Sequence, residues 1–242
     1  MFGQTVIRKR GYITVSKGER NEEILQLVNS TGKISVEELA KKTFASESTV
    51  RRSLKRLEEQ GLLRRLHGGA EAVMSLRPPQ IIRHQHNQKA KKTIAEKASA
   101  RVRPDSCIFI DASTTVQYMI PYLSGIKNLT VYTNGTDTAI RLVEANVRAV
   151  CTGGELLAQS MAYVGQHAVD TVRRVFFDAV FFSSAAFDGK TVSDWSEAET
   201  VLRRAVIEQS EKRYFLADSS KYGKKYPYIV CRDSDITEFI SE

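Results

Sequence analysis

The chain has 242 residues, of which 42% are hydrophobic, enough to bury a core and too many for wholesale disorder. Its formal net charge is +8, no apolar run approaches the roughly 18–20 residues of a membrane helix, and the N-terminus lacks the unbroken apolar centre of a secretory signal. The three cysteines (Cys107, Cys151, Cys231) are odd in number and widely spaced, which excludes a disulfide framework or a zinc spacing and points to a reducing, cytoplasmic setting.

The positive charge is uneven. Through residue 70 there are 14 Lys+Arg against 8 Asp+Glu, a surplus of six, while the remaining 172 residues carry a surplus of two. An anionic partner is therefore expected near the front of the chain. Residues 1–17 form a basic extension ahead of the first periodic segment.

In chain order, RNEEILQLVNSTGK (20–33) carries Ile24, Leu25, Leu27 and Val28 on a helical stripe, broken at 29–32. SVEELAKK opens with Ser35 and has Glu38 three residues later, the spacing of a capping box. After a turn at Phe44–Ala45, Ser46 is the next N-cap candidate. Val50, Leu54 and Leu57 then recur at i, i+4, i+7 until Gly61, a C-terminal stop.

Two short helices and a turn, the second helix basic on its polar face, describe a helix-turn-helix over residues 18–73. In that motif the N-terminal residues of the second helix reach base edges in the major groove. Ser46, Ser48, Thr49 and Arg52 lie at that end; Arg51, Lys55 and Arg56 are placed to hold phosphates. LLRRLHGGAEAV after Gly61 reads as a hairpin wing with a Gly-Gly turn, which brings Arg64, Arg65 and His67 to the sugar-phosphate backbone. A small helical domain with a solvated basic face would share the pattern.

Residues 74–90, stiffened by Pro78 and Pro79, read as a linker. His84 and His86 alternate on it without a third ligand nearby, so no metal site is expected. From residue 91 to 242 short apolar β-rich runs alternate with amphipathic helices: CIFID (107–111), LTVYT (129–133), RAVCT (148–152), AVFFSS (179–184) and YFLAD (214–218), with VQYMIPYL (116–123) among the helices. This predicts an α/β domain with a mainly parallel sheet covered on both faces.

Ligands of such sheets collect beyond the carboxyl ends of the strands. Polar residues recur there: Asp111, Ser113, Thr114 and Thr115; Thr133 and Asn134; Thr152, Gly153, Gly154 and Glu155; Ser183, Ser184 and Asp188; and Lys221. Hydroxyls and free backbone N–H groups suit a phosphate. Lys221 adds a positive charge, and Asp111, Asp188 and Glu197 suit sugar hydroxyls. Ordinary capping and turn chemistry uses the same residue types.

ISVEELAKK…SESTVRRSLKRLEEQGLLRRLHGGA resembles the N-terminal signature of the DeoR family of bacterial transcription regulators, with an arginine pair, Leu-Glu, Gly, then Arg-x-His-Gly-Gly-Ala. Ser53 stands where the family commonly has Asp. DASTT, TNG, TGGEL…VGQHA, FFSSAAFD, SEAE and ADSSKYG resemble the effector domain of the same family, which is similar in fold to ribose-5-phosphate isomerase. The resemblance implies that Asp111, Ser113, Thr114 and Thr115 form a phosphate loop, Ser113 replacing a usual Gly, and that Glu197 and Lys221 are the acidic and basic pocket positions.

The expected function is a non-enzymatic, cytoplasmic repressor of sugar-metabolism genes. It would bind a double-stranded DNA operator as a homodimer or homotetramer and release it on binding a phosphorylated sugar, with no cofactor and no membrane partner. The alternative is a sugar-phosphate isomerase with a nucleic-acid-binding appendage, since proton transfer between neighbouring carbons uses the same carboxylates.

Overall fold

A computed structural model of the chain describes residues 17–59, 62–72 and 80–242. The basic extension before residue 17, the stop at Gly61 and the Pro78-Pro79 stretch lie outside the described residues. The chain divides into two compact units, Met1–Ser75 and Leu76–Glu242.

The first unit is α1 (Lys17–Thr31), β1 (Lys33–Ser35), α2 (Val36–Lys42), α3 (Glu47–Glu59), β2 (Leu63–Leu66) and β3 (Gly69–Ala72). α1 runs two residues past Asn29, where the sequence suggested a break: Thr31 Oγ1 donates back to the Leu27 carbonyl at 2.7 Å and satisfies part of the last turn. Ser35 and Glu38 form the capping box at the start of α2. The glutamate accepts the Ser35 N–H at 3.1 Å, and Ser35 Oγ accepts the Glu38 N–H at 3.1 Å. Bonds from the Ser35 N–H and, at 3.0 Å, from the Ser35 hydroxyl hold the Glu38 carboxyl below its ordinary pKa.

Phe44 takes the turn at φ 50°. The stripe Val50, Leu54 and Leu57 is buried beside Ile24, Leu25, Val28, Val36 and Leu39, and α1 and α2 both pack on α3. β2 and β3 form the expected wing, and β1, which the sequence did not announce, pairs antiparallel with β3 to make a third strand. The two glycines of the turn differ in role. Gly68 adopts a left-handed φ of 81°, whereas a Cβ on Gly69 would lie 2.5 Å from the Ile34 carbonyl oxygen, so the third strand closes only over a glycine.

The second unit opens with α4 (Gln80–Gln85) and α5 (Gln88–Ser99), so residues 80–85 and 88–90 of the supposed linker are helical. There follow β4 (Cys107–Ile110), α6 (Thr114–Gln117), α7 (Ile120–Leu123), β5 (Thr130–Thr133), α8 (Thr136–Glu144), β6 (Arg148–Cys151), β7 (Glu155–Leu157), β8 (Ala162–Val164) and α9 (Gln166–Arg173). Last come β9 (Phe177–Phe182), β10 (Ala186–Phe187), β11 (Thr191–Asp194), α10 (Glu197–Glu208), β12 (Ser210–Leu216), β13 (Tyr228–Arg232) and β14 (Glu238–Ile240). The single helix expected over 116–123 is two short ones. Pro121 lacks an N–H and its ring crowds the preceding turn, so the ladder breaks before it.

Six strands form one parallel sheet in the order β14-β12-β9-β4-β5-β6. The period of two in each strand sorts its residues between two cores. Ile108, Ile110, Phe181 and Leu216 face a core completed by α5, α6, α7 and α8. Phe109, Val180, Phe182 and Phe215 face a second, completed by α9 and α10. From β4 the chain adds β5 and β6 on one side, then β9, β12 and β14 on the other. The order therefore reverses between β4 and β9, and ligands of such sheets gather at the carboxyl ends of the strands at that reversal.

Candidate operator face and effector site

On α3 every proposed DNA contact reaches solvent. Ser46, Ser48, Arg51, Arg52, Lys55 and Arg56 are exposed and Thr49 is half-buried; on the wing Arg64, Arg65 and His67 are exposed. The hydroxyls at the start of α3 are knotted together. Ser46 Oγ lies 3.0 Å from Ser48 Oγ and 2.9 Å from Thr49 Oγ1, and accepts the Thr49 N–H at 3.3 Å, so Ser46 acts as the cap. Arg51 pairs with Glu47 at 3.1 Å, Lys55 lies 3.9 Å from Glu59, and Arg64 pairs across the wing with Glu71 at 3.4 Å. The Arg65 N–H donates to Glu58 at 2.8 Å, tying the wing to the end of α3. Arg52 and Arg56 have no ion pair among the described residues.

At the switch point, the carboxyl ends of β4 and β9 are joined by Asp111. Its Oδ1 accepts the Ser113 N–H at 3.0 Å; its Oδ2 accepts the Ser183 N–H at 3.2 Å and pairs with Arg203 Nε at 3.2 Å. Arg203 reaches Asp194 as well, at 3.2 Å. Burial opposes charge on this guanidinium, but the Asp194 and Asp111 carboxylates outweigh it and raise its pKa. Asp111 thus clamps the ends of β4 and β9, with three donors on its two oxygens.

Beside the clamp, two lysines from distant segments converge on neighbouring hydroxyls. Lys221 Nζ donates to Ser183 Oγ at 2.6 Å and lies 3.5 Å from Thr115 Oγ1. Lys91 Nζ, from α5, donates to Thr114 Oγ1 at 3.1 Å and to the Arg83 carbonyl. Lys91 is 4% exposed and has no salt-bridge partner among the described residues. Burial lowers its pKa to about 8, opposed by the charge of Asp218 and helped by that of Arg83. Ser113 caps α6, its Oγ accepting the Val116 N–H at 3.4 Å.

The other candidates are spread around this cluster. Asn134 bridges two segments, accepting the Ala112 N–H at 3.1 Å and donating to the Tyr163 carbonyl at 3.1 Å, while Thr133 Oγ1 accepts the Gly135 N–H. Gly154, at φ 112°, lies so close to β8 that a Cβ would meet the Val164 carbonyl oxygen at 2.4 Å. Gly153 packs by His167, and Glu155 is exposed at the start of β7. Ser184 Oγ donates to the Ser193 carbonyl at 2.8 Å and lies 2.9 Å from Asp194. Glu197 is exposed at the first turn of α10.

Asp188 is not part of the cluster's hydrogen bonding. It closes the β10–β11 turn by accepting the Thr191 and Lys190 N–H groups at 2.7 and 2.9 Å, and pairs with Lys225 at 2.8 Å; the Lys225 and backbone bonds push its pKa well down.

Residues 20–75 match the model of the DeoR-like helix-turn-helix domain, and residues 86–242 match that of the DeoR C terminal sensor domain. The chain belongs to the DeoR family of transcriptional regulators. It is 33% identical over 228 residues to the uncharacterized HTH-type transcriptional regulator YulB of Bacillus subtilis, spanning 93% of this chain and 88% of that one. To the lactose phosphotransferase system repressor of Staphylococcus aureus it is 29% identical, spanning 94% and 93%. The α/β unit is also similar to ribose 5-phosphate isomerase A of Methanocaldococcus jannaschii, with a TM-score of 0.42 and 13% identity over 56% of this chain and 55% of that one. No helix among the described residues is long and apolar enough to cross a membrane.

Sequence reasoning missed Lys91 and Arg203 in this DeoR-family sensor unit. A signal for both was present. Lys91 falls in register with Ile94, Ala95 and Ala98, and Arg203 with Glu199, Leu202 and Val206, on the buried stripes of α5 and α10. A charged residue on an apolar stripe must be paired or bind something.

Proposed function

We propose that the chain is a repressor of sugar-metabolism genes whose hold on its operator is set by a phosphorylated sugar at the β4–β9 switch point. The observation that carries this reading is the convergence of Lys91 and Lys221 on the hydroxyls of Thr114 and Thr115. Two ammonium groups and adjacent hydroxyl and backbone donors supply what a phosphate dianion needs. Thr133, Asn134, Gly153, Gly154, Glu155, Ser184 and Glu197 are the candidates to border the sugar. The engaged oxygens of Asp111 favour binding over proton transfer, because a general base must accept a proton from the substrate.

On the DNA side, α3 enters the major groove with Ser48, Thr49 and Arg52 toward base edges. Arg51, Lys55, Arg56 and the wing residues Arg64, Arg65 and His67 hold phosphates. One short helix reads few bases, so the acting species is a homodimer or homotetramer on repeated half-sites. The name of the staphylococcal relative, a repressor of a sugar phosphotransferase system, fits this scheme.

A thermal-shift screen of phosphorylated sugars against their unphosphorylated parents tests it, since a ligand that binds only the folded state raises the melting temperature by mass action. A hit is expected only among the phosphorylated compounds, and the same compound should weaken operator binding. Equal shifts from the unphosphorylated parents would sink the reading, and turnover of ribose 5-phosphate would favour the isomerase.

A further inference from the structure

Helix α4 is the first described element after the stretch that joins the two units, and it is fastened over the β4–β9 switch point by its backbone. Lys91 Nζ donates to the Arg83 carbonyl, and Thr114 Oγ1 lies 3.4 Å from the same oxygen. Tyr118 Oη donates to the His84 carbonyl at 3.0 Å, and the His84 and Tyr118 rings stack with centroids 4.9 Å apart. Gln80 Nε2 donates to the Ala112 carbonyl at 3.1 Å, while Gln80 Oε1, on a side chain 6% exposed, has no hydrogen-bond partner among the described residues. At the far end Asn87, at φ 55°, donates to Asp218 at 2.8 Å.

One backbone oxygen thus draws on both the ammonium of Lys91 and the hydroxyl of Thr114. A hydroxyl has a single proton to give, so Thr114 cannot serve the Arg83 carbonyl and a phosphate oxygen together. A phosphate dianion is also the stronger acceptor for a buried ammonium. The seat that holds α4 is imperfect, since a buried amide oxygen without a partner carries a desolvation cost.

We propose that the Arg83 carbonyl stands in for a phosphate oxygen of the effector, that Lys91 is a phosphate-binding residue, and that the effector unseats α4 when it takes Lys91 and Thr114. This rests on the sugar-phosphate reading of the site. It gives the signal a physical start: the ligand exchanges an internal acceptor for its own, and the segment released is the one that leads toward the DNA-binding unit. The ligand's leverage equals the difference between its affinity for the chain with α4 seated and with α4 free.

Hydrogen–deuterium exchange on the full chain tests the proposal, with inorganic phosphate and ribose 5-phosphate as probes and chloride at matched ionic strength as control. The expected result is slower exchange at residues 113–116 together with faster exchange at 80–85. Protection at 113–116 with 80–85 unchanged or slowed would overturn the displacement and leave the sugar-phosphate reading intact. No protection at 113–116 by either probe, followed by no hit in the thermal-shift screen, would overturn both.

A variant gives the second arm. Tyr118→Phe keeps every phosphate donor and removes one bond to α4, so probe affinity should rise by about two- to tenfold, the worth of one hydrogen bond. Unchanged affinity in a folded Tyr118→Phe chain would also overturn the displacement. Lys91→Gln should lose the response to both probes while still folding; a full response would remove Lys91 from the site.

Discussion

On α3 the basic side chains stand in water, and those that pair do so one helical turn away, as Arg51 pairs with Glu47. In the sensor unit Lys91 and Arg203 are 4% and 7% exposed, and the partners of Arg203 include a carboxylate 92 residues distant. The same residue types therefore do different physical work. A guanidinium in water keeps its hydration until an external anion replaces it, and its local pair contributes little to stability. A buried cation has lost its hydration already, so its protein partners decide whether the fold survives. On the proposed reading, exposure in one unit marks a surface for a large anion; burial in the other marks either a clamp, as at Arg203, or a seat for a small one, as at Lys91.

The sharpest way to break this comparison is to remove a buried cation. Arg203→Met leaves Asp111 and Asp194 buried without their counter-charge and should destabilise the sensor unit by about 3–5 kcal/mol, read from the urea midpoint. A loss below about 1 kcal/mol, the scale of a surface pair, would mean that the two environments do not differ as described.

On the exposed side, Arg52→Ala should leave the melting temperature nearly unchanged and weaken operator binding by about 1–3 kcal/mol, with little loss on random DNA. An equal loss on both DNAs would reassign Arg52 to a phosphate. The pH dependence separates the units further. Lys91 has a folded-state pKa lowered to about 8 from the ordinary lysine value of 10.5. It is charged below about 8, so phosphate affinity should fall by up to about tenfold as the pH is raised from about 7 to about 9. The stability of the ligand-free chain should move the other way. The unfolded chain binds the proton up to 10.5 and the folded one does not, so stability rises between about 8 and 10.5. Arg83 and Asp218 are the charged groups that act on this ammonium, so Lys91→Gln is the control that assigns the effect. The smallest change is local: Ser35→Ala removes one side of the capping box and should cost the DNA-binding unit ~1 kcal/mol without altering phosphate affinity.

The DNA-binding unit was the more legible because its signals are local. The Ser35–Glu38 box, the Val50–Leu54–Leu57 stripe and the Gly68-Gly69 turn each lie within a dozen residues, and each formed as its spacing requires. What escaped there was β1, since three residues carry no period and the strand exists only because β3 offers it an edge. In the α/β unit the five anticipated strands all joined the parallel sheet, because runs such as CIFI and AVFF are buried on both faces. The strands β7, β8, β10, β11, β13 and β14 went unread, and Pro121 split a helix whose apolar pattern looked continuous.

The sequence by itself determined the helices of the first unit and the five long sheet strands, which face of α3 is basic, and that polar residues gather at strand ends, because these follow from periodicities of 3.6 and 2 and from capping chemistry. Only the tertiary structure decided which of those polar residues meet. It spent Asp111 on Arg203, withdrew Asp188 into a turn, and set Lys91 and Lys221, 130 residues apart in the chain, on adjacent hydroxyls. The reason is the order of the sheet: β4 and β9 become neighbours only when the strand order reverses between them, and no local pattern in the chain encodes that reversal.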